Sequence, residues 1–336
     1  MNGHDGEVTT TAAQSETSTR RQQIIGLSAA FGIGMLVAVQ SRLNGGLGEL
    51  LGDGIPAALI SFGSGFLILL VATALVPPIR RSLGNVWAAI RDPQNRSNLR
   101  WWQCIGGLCG AWLVATQAIT VHVIGVAVFT VAVVAGQAVS SLVVDRLGFG
   151  PAGRQEFTTL RIVGAAVALI AVVLAVSDQL SHPNGLLLAI LPALGGLATA
   201  VQQAINGRVA RTAAGNAYGA VAAGVINFFV GVTALLVVFL IDLILRGAPN
   251  PLPTNPWLYL GGACGVIFIS AAAAVVRVVG VFVLGLGTIA GQLIASLLVD
   301  LFAPAADKPI TLPVLAGTTL ALIAVVVAAI PNLRRG

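Results

Sequence analysis

From Trp101 to Val144 the chain runs forty-four residues without an Asp, Glu, Lys or Arg. A helix crossing the hydrocarbon core of a bilayer needs about 20 apolar residues. This run is therefore too long for one crossing and is read as two, broken near His122. The same rule, applied to the uncharged runs 22–41, 54–79, 162–177, 179–207, 212–241, 247–276, 278–299 and 309–333, gives ten spans in all. The run at 162–177 is short, and extends back to about Phe157 if Arg161 snorkels to the interface. Composition agrees, with 57% hydrophobic and 9% charged residues against roughly 25% charged in a soluble domain. The expected fold class is all-α, a polytopic membrane protein whose surroundings are the lipid bilayer.

Charge sets the orientation of these spans. The net charge of +6 would suit nucleic acid, but its placement follows topology instead. With the N-terminus in the cytoplasm, fifteen of the 18 Lys and Arg residues lie on the inner side, and only Arg42, Arg246 and Lys308 lie outside. That bias fits the positive-inside rule and puts both termini in the cytoplasm. Residues 1–20 are polar, have no apolar core of a signal peptide, and read as a disordered tail. Cys104, Cys109 and Cys264 sit within apolar spans and His4, His122 and His182 are scattered. No catalytic group, metal set or cofactor loop follows from them, so the chain is not read as an enzyme.

Echoes of sequence recur along the whole chain. Trp102 to Asp145 matches Trp257 to Asp300 at a constant offset of 155, with "GGLCG" (106–110) answered by "GGACG" (261–265) and "GQAVSSLVVD" (136–145) by "GQLIASLLVD" (291–300). "AVQSRLNGG" (38–46) is answered by "AVQQAINGR" (200–208), and "ALIAVV" occurs at 168–173 and 321–326. Two five-span repeats result, residues 21–180 and 181–336. Because five is odd, the second repeat enters the membrane from the opposite face. Inverted repeats of this kind are a recurrent architecture of secondary transporters.

At Gln40 with Asn44, "SFGSGF" (61–66), "GGLCG" and above all "GQAVSSLVVD", the sequence resembles the YdcZ-type inner-membrane exporters of the drug/metabolite transporter (DMT) superfamily. The resemblance covers about residues 24–330 and implies a ten-helix transporter of the bacterial inner membrane. In the second copy "GVINFF" (224–229) sets Asn227 against Ser64.

The polar residues within spans are the candidate substrate or gate positions. Gln40 and Asn44 share one helical face, as do Gln202 and Asn206. The asparagines, each followed by glycine, read as interhelical glue or caps, and the glutamines as pathway residues. Gln137, Ser141 and Asp145 form one stripe, repeated by Gln292, Ser296 and Asp300. An acid at a helix C-terminus is disfavoured by the macrodipole and asks for a partner; for Asp300 these are Arg42, Arg246 or Lys308. Trp112 either lines a cavity or packs. Gly106, Gly110, Gly261 and Gly265 read as close-packing positions.

Depth sorts these groups into an outer set of Gln40, Asn44, Gln292 and Asp300 and an inner set of Gln202, Asn206, Gln137 and Asp145, each expected to close as the other opens. The expected function is alternating-access transport of a small organic molecule, neutral, zwitterionic or aromatic because no span carries a deep charge. A membrane scaffold or accessory subunit and a lipid translocase are the alternatives. No nucleic-acid partner is expected, and a homodimer stays open.

Overall fold

The computed structural model describes residues 5–92, 94, 99–147, 159–177, 185–304 and 310–333. Its helices are α1 (Asp5–Leu51), α2 (Gly54–Leu75), α3 (Pro77–Arg91), α4 (Gly107–Leu147), α5 (Thr159–Ala175), α6 (Gly185–Ala213), α7 (Ala217–Arg246), α8 (Gly261–Phe302) and α9 (Leu312–Leu333). Short 3-10 turns at Trp101–Cys104 and Pro256–Leu260 lead into α4 and α8. No strand occurs among the described residues.

Five stretches are long and apolar enough to cross a membrane: Ile24–Leu51, Gly54–Leu75, Trp101–Val144, Leu188–Ala213 and Ala217–Arg246. Shorter apolar helices lie at Ile162–Ala175, Pro256–Ala272, Gly287–Phe302 and Leu312–Val327. Trp101–Val144 is two crossings, because Gly125 adopts φ 82° and ψ 164° inside α4. That backbone is open to glycine and disfavoured for residues with a Cβ, so the break falls at Gly125, three residues beyond the expected His122. Counting both parts of α4 gives the ten expected spans.

Both boundaries of α1 differ from the sequence reading. α1 is helical back to Asp5, where a disordered tail is expected, and no glycine or proline interrupts Glu7 to Ile25. It also continues past residue 41 to Leu51, because Arg42 finds backbone acceptors instead of ending the span: its Nε donates to the Ala303 carbonyl at 2.9 Å. Asn44 and Asn206 consequently lie inside helices and cap nothing.

The repeat is written into the packing. α1 packs along α8 as α6 packs along α4, α2 crosses α7, and α5 pairs with α9. The close approaches recur in register. A methyl group on Gly34 would meet the Thr288 carbonyl and the Gln292 amide, and one on Gly196 would meet the Val133 carbonyl and the Gln137 amide. Likewise Gly107 abuts the Asn227 carbonyl and the Gly231 amide, while Gly262 abuts the Ser61 carbonyl and the Gly65 amide. At the crossing of α2 and α7 the rings of Phe62 and Phe228 lie 4.9 Å apart. The turns match too: Gly52 (φ 69°) and Gly215 (φ 62°) each precede a helix N-cap. Asp53 accepts from the Ile55 amide and Asn216 from the Gly219 amide.

These contacts correct one alignment. Asn227 stands where Ser61 stands in the first copy, not Ser64, because Gly107 and Gly262 meet those two residues in the same way.

Candidate functional site

One polar cluster ties α1, α4 and α8 together. Asn44, fully buried, donates from Nδ2 to Gln117 Oε1 at 2.7 Å. Gln117 Nε2 donates in turn to Ser41 Oγ at 3.0 Å. Around this chain α1 and α4 are close-packed, with Gly45 against Val121 and Gly48 against the Ala118 backbone. Two hydrogen bonds thus link three buried polar side chains across α1 and α4, and Asn44 Oδ1, lying over Gly261, is buried without a partner among the described residues.

Asp300 closes the same region from α8. Breaking α4 at Gly125 frees the first N–H groups of its second half, and the Asp300 carboxylate takes two of them. Oδ1 accepts from the Val126 amide at 2.9 Å and Oδ2 from the Ala127 amide at 2.7 Å. A carboxylate at a helix N-terminus is favoured by both hydrogen bonding and the macrodipole. The partner of Asp300 is therefore the broken helix. Of the cations named from sequence, Arg42 binds the Ala303 and Pro304 carbonyls just beyond it. Arg246 pairs with Asp242 at 3.1 Å, and Lys308 lies outside the described residues.

A second cluster lies at the other end of the molecule, on α6 and α7. Gln202 Nε2 donates to Asn227 Oδ1 at 3.1 Å, and Asn227 Nδ2 donates to Asn206 Oδ1 at 3.3 Å. Gly110 and Gly106 lie beneath the Gln202 and Asn206 amides, as Gly265 and Gly261 lie beneath Gln40 and Asn44. These four glycines make room for carboxamides; the backbone-to-backbone approach belongs to Gly107 and Gly262 beside them.

The two ends are not equally closed. Ser41, Asn44 and Gln117 are buried, whereas their counterparts Gln203, Asn206 and Ala272 are exposed or half-buried. Thr130 is 0% exposed, yet a Cβ at its counterpart Gly285 would meet no atom within 4 Å. Among the described residues α1 packs on α4, but α6 and α8 share no extended contact. The Gln202 and Asn206 amides instead meet Asn227 and the α4 glycines, and Gln203 is exposed.

The expected sets are only partly brought together. No hydrogen bond among the described residues joins Gln40 or Gln292 to Asn44 or Asp300. Gln40 lies over Gly265 and Gln292 runs beside Gly34. The Ser64 and Ser296 hydroxyls donate to their own helices, at the Ser61 and Leu293 carbonyls. Gln137 is half-buried beside Gly196, and the side chains of Ser141 and Asp145 lie outside the described residues. Trp112 is 43% exposed on a stripe with Ile105 and Leu108, so it does not pack in the core. Gln117 was missed by sequence reading because its counterpart is Ala272; its signal is a glutamine one heptad from Gly110.

The chain matches the family described as "Putative inner membrane exporter, YdcZ" over residues 25–174 and 187–327, one segment in each half. No curated protein matches it significantly. A solved crystal structure of a protein resembles it in fold at a TM-score of 0.50 and 16% identity, over 94% of this chain and 98% of that one.

Proposed function

The chain belongs to the YdcZ family of inner membrane exporters as a multi-pass membrane transporter, and we propose that it carries a small organic molecule by alternating access. The observation that carries this reading is the unequal closure of matched positions: Thr130 is buried where Gly285 is open, and Asn44 is buried where Asn206 is half-exposed. Two copies of one motif held in opposite states are what alternation of a repeat requires.

With the arginine-rich side in the cytoplasm, the Asn44 and Asp300 cluster is a closed outer gate, and the side of Gln202, Gln203 and Asn206, where α6 and α8 share no extended contact among the described residues, is the inward opening. Cytoplasmic solute enters there and meets carboxamides, which donate and accept without charge. Neutral, zwitterionic or aromatic compounds suit such a surface. Rocking of α6 onto α8 would close the inner side as α1 leaves α4. The outer gate then loses the Asn44–Gln117 bond and the Asp300 clasp, while the inner amides gain partners.

The test compares the metabolites retained by cells with and without the protein, followed by counterflow of the identified solute in liposomes. A solute that accumulates in the null strain and moves in liposomes is expected. Purified protein that moves none of these solutes and co-purifies stoichiometrically with another protein would make it an accessory subunit.

A further inference from the structure

α3 is not needed to close the fold. The equivalent link in the second half, residues 247–260, holds four prolines and no charge, and residues 247–255 form no helix. In the first half the same connection is a fifteen-residue helix with three arginines and no acid.

One face of α3 is seated: Ile79, Ser82 and Val86 are buried, in part against Val209, Ala213, Ala222 and Ala223 of α6 and α7. Asn85 Nδ2 caps the end of α6 at the Ala213 carbonyl, 2.7 Å away. The opposite face presents Arg80, Arg81, Gly84, Trp87, Ala88 and Arg91, all exposed. Trp87 is 58% exposed, and the Arg91 guanidinium lies 4.1 Å from its ring centre. Arg80 is anchored on the Thr73 and Ala74 carbonyls at the end of α2. Val71 and Leu75, on the exposed apolar end of α2, lead directly to this face.

We propose that this face of α3 binds the headgroups of anionic phospholipids in the leaflet on the arginine-rich side. Arg81 and Arg91 take the phosphates, and Trp87 sits at the depth where indole rings anchor to the interface. Amphipathic helices that lie in this plane bind by apolar burial plus attraction to anionic lipid. The site is independent of whether any solute moves.

Trp87 itself reports on the site. In full-length protein with Trp101, Trp102, Trp112 and Trp257 replaced by Phe, reconstituted in nanodiscs, brominated phosphatidylglycerol should quench Trp87 more than brominated phosphatidylcholine at equal mole fraction. Each basic residue near an anionic surface is worth about fivefold in lipid preference. R81Q and R91Q should therefore each reduce the preference by about that factor, while R81K should keep most of it. Should the four-Phe background not fold, a fluorophore on A88C in a chain lacking Cys104, Cys109 and Cys264 gives the same reading. Equal quenching by the two lipids, or a preference unchanged in the R81Q/R91Q double variant, would overturn the proposal.

Discussion

Replacing Asp300 by asparagine removes the charge from the clasp between α8 and the broken helix while leaving its shape. The carboxylate now accepts two backbone N–H groups, at 2.9 and 2.7 Å. Asparagine has one acceptor oxygen, and its amide nitrogen would face the second N–H. Hydrogen bonds to a charged group contribute roughly 1.5–3 kcal/mol and neutral ones roughly 0.5–1.5 kcal/mol. Exchanging two of the first kind for one of the second costs about 3 kcal/mol, or roughly a hundredfold in the balance between closed and open forms. The Asn44 and Asp300 side, the outer gate of the proposed mechanism, should lose that much. Ala118, buried between α1 and α4, is the reporter for this side, and exposed Gln203 for the other. With Cys104, Cys109 and Cys264 removed, D300N should raise the labelling rate of A118C and lower that of Q203C. If folded D300N protein leaves A118C labelling unchanged, or shifts both reporters the same way, Asp300 is a structural cap and gates nothing.

G125A should act in the same direction, since φ 82° and ψ 164° lie in a region kept almost entirely to glycine, costing about 1–3 kcal/mol for a residue with a Cβ, and that Cβ would lie 2.9 Å from Asp300 Oδ2; A118C labelling reads it. G107A and G262A should reduce the yield of folded protein more than G106A, because they drive a methyl into a carbonyl of the neighbouring helix whereas Gly106 meets side chains; size-exclusion profiles of detergent extracts measure this. A272Q gives the second copy the glutamine that the first has at Gln117, so it should hold α6 to α8 and slow labelling of Q203C. A cytoplasm-only reporter should work after Arg335 and within residues 80–100, and fail in residues 178–184; signal from that last loop would break the five-span count.

Much of the fold was legible because a bilayer imposes a length on its helices. The run from Trp101 to Val144 declared two crossings by size alone, but its break was misplaced by three residues. A histidine looks disruptive, whereas the conformation at φ 82° calls for glycine, and "IGV" answering "VGV" was the available sign. Repeat matching found Asn44 and Asn206 but passed over Gln117, since a residue without an echo does not register. It also set Asn227 against Ser64, because polar identity is a poorer guide to register than the glycines that let helices touch. α3 lies mostly between the uncharged run that ends at residue 79 and the one that begins at Trp101. Its apolar residues are too few for a span and become a face only at helical spacing.

In the proposed alternation, the differences between the halves carry as much of the mechanism as their likeness. A perfectly symmetric inverted pair would have equal energies in its two states, and neither would be favoured at rest. Gln117 breaks that balance on one side by giving Asn44 a partner on α4. Ala272 leaves Asn206 to pair within its own half, through Asn227. Each asparagine thus has a carboxamide partner, Asn44 across the proposed gate and Asn206 along it. A bond across must break for the gate to open, and a bond along need not. On that proposal the closed end is the one that holds energy against opening, while the other would swing with the Asn206–Asn227 pair intact. Arg42, whose counterpart is Ala204, adds a second tie on the closed side through the Ala303 and Pro304 carbonyls. In the proposed alternation, the sequence differences thus bias the protein toward the state in which Gln203 is exposed and Asn206 half-buried, and solute would supply ties between α6 and α8 of the kind Gln117 gives α1 and α4.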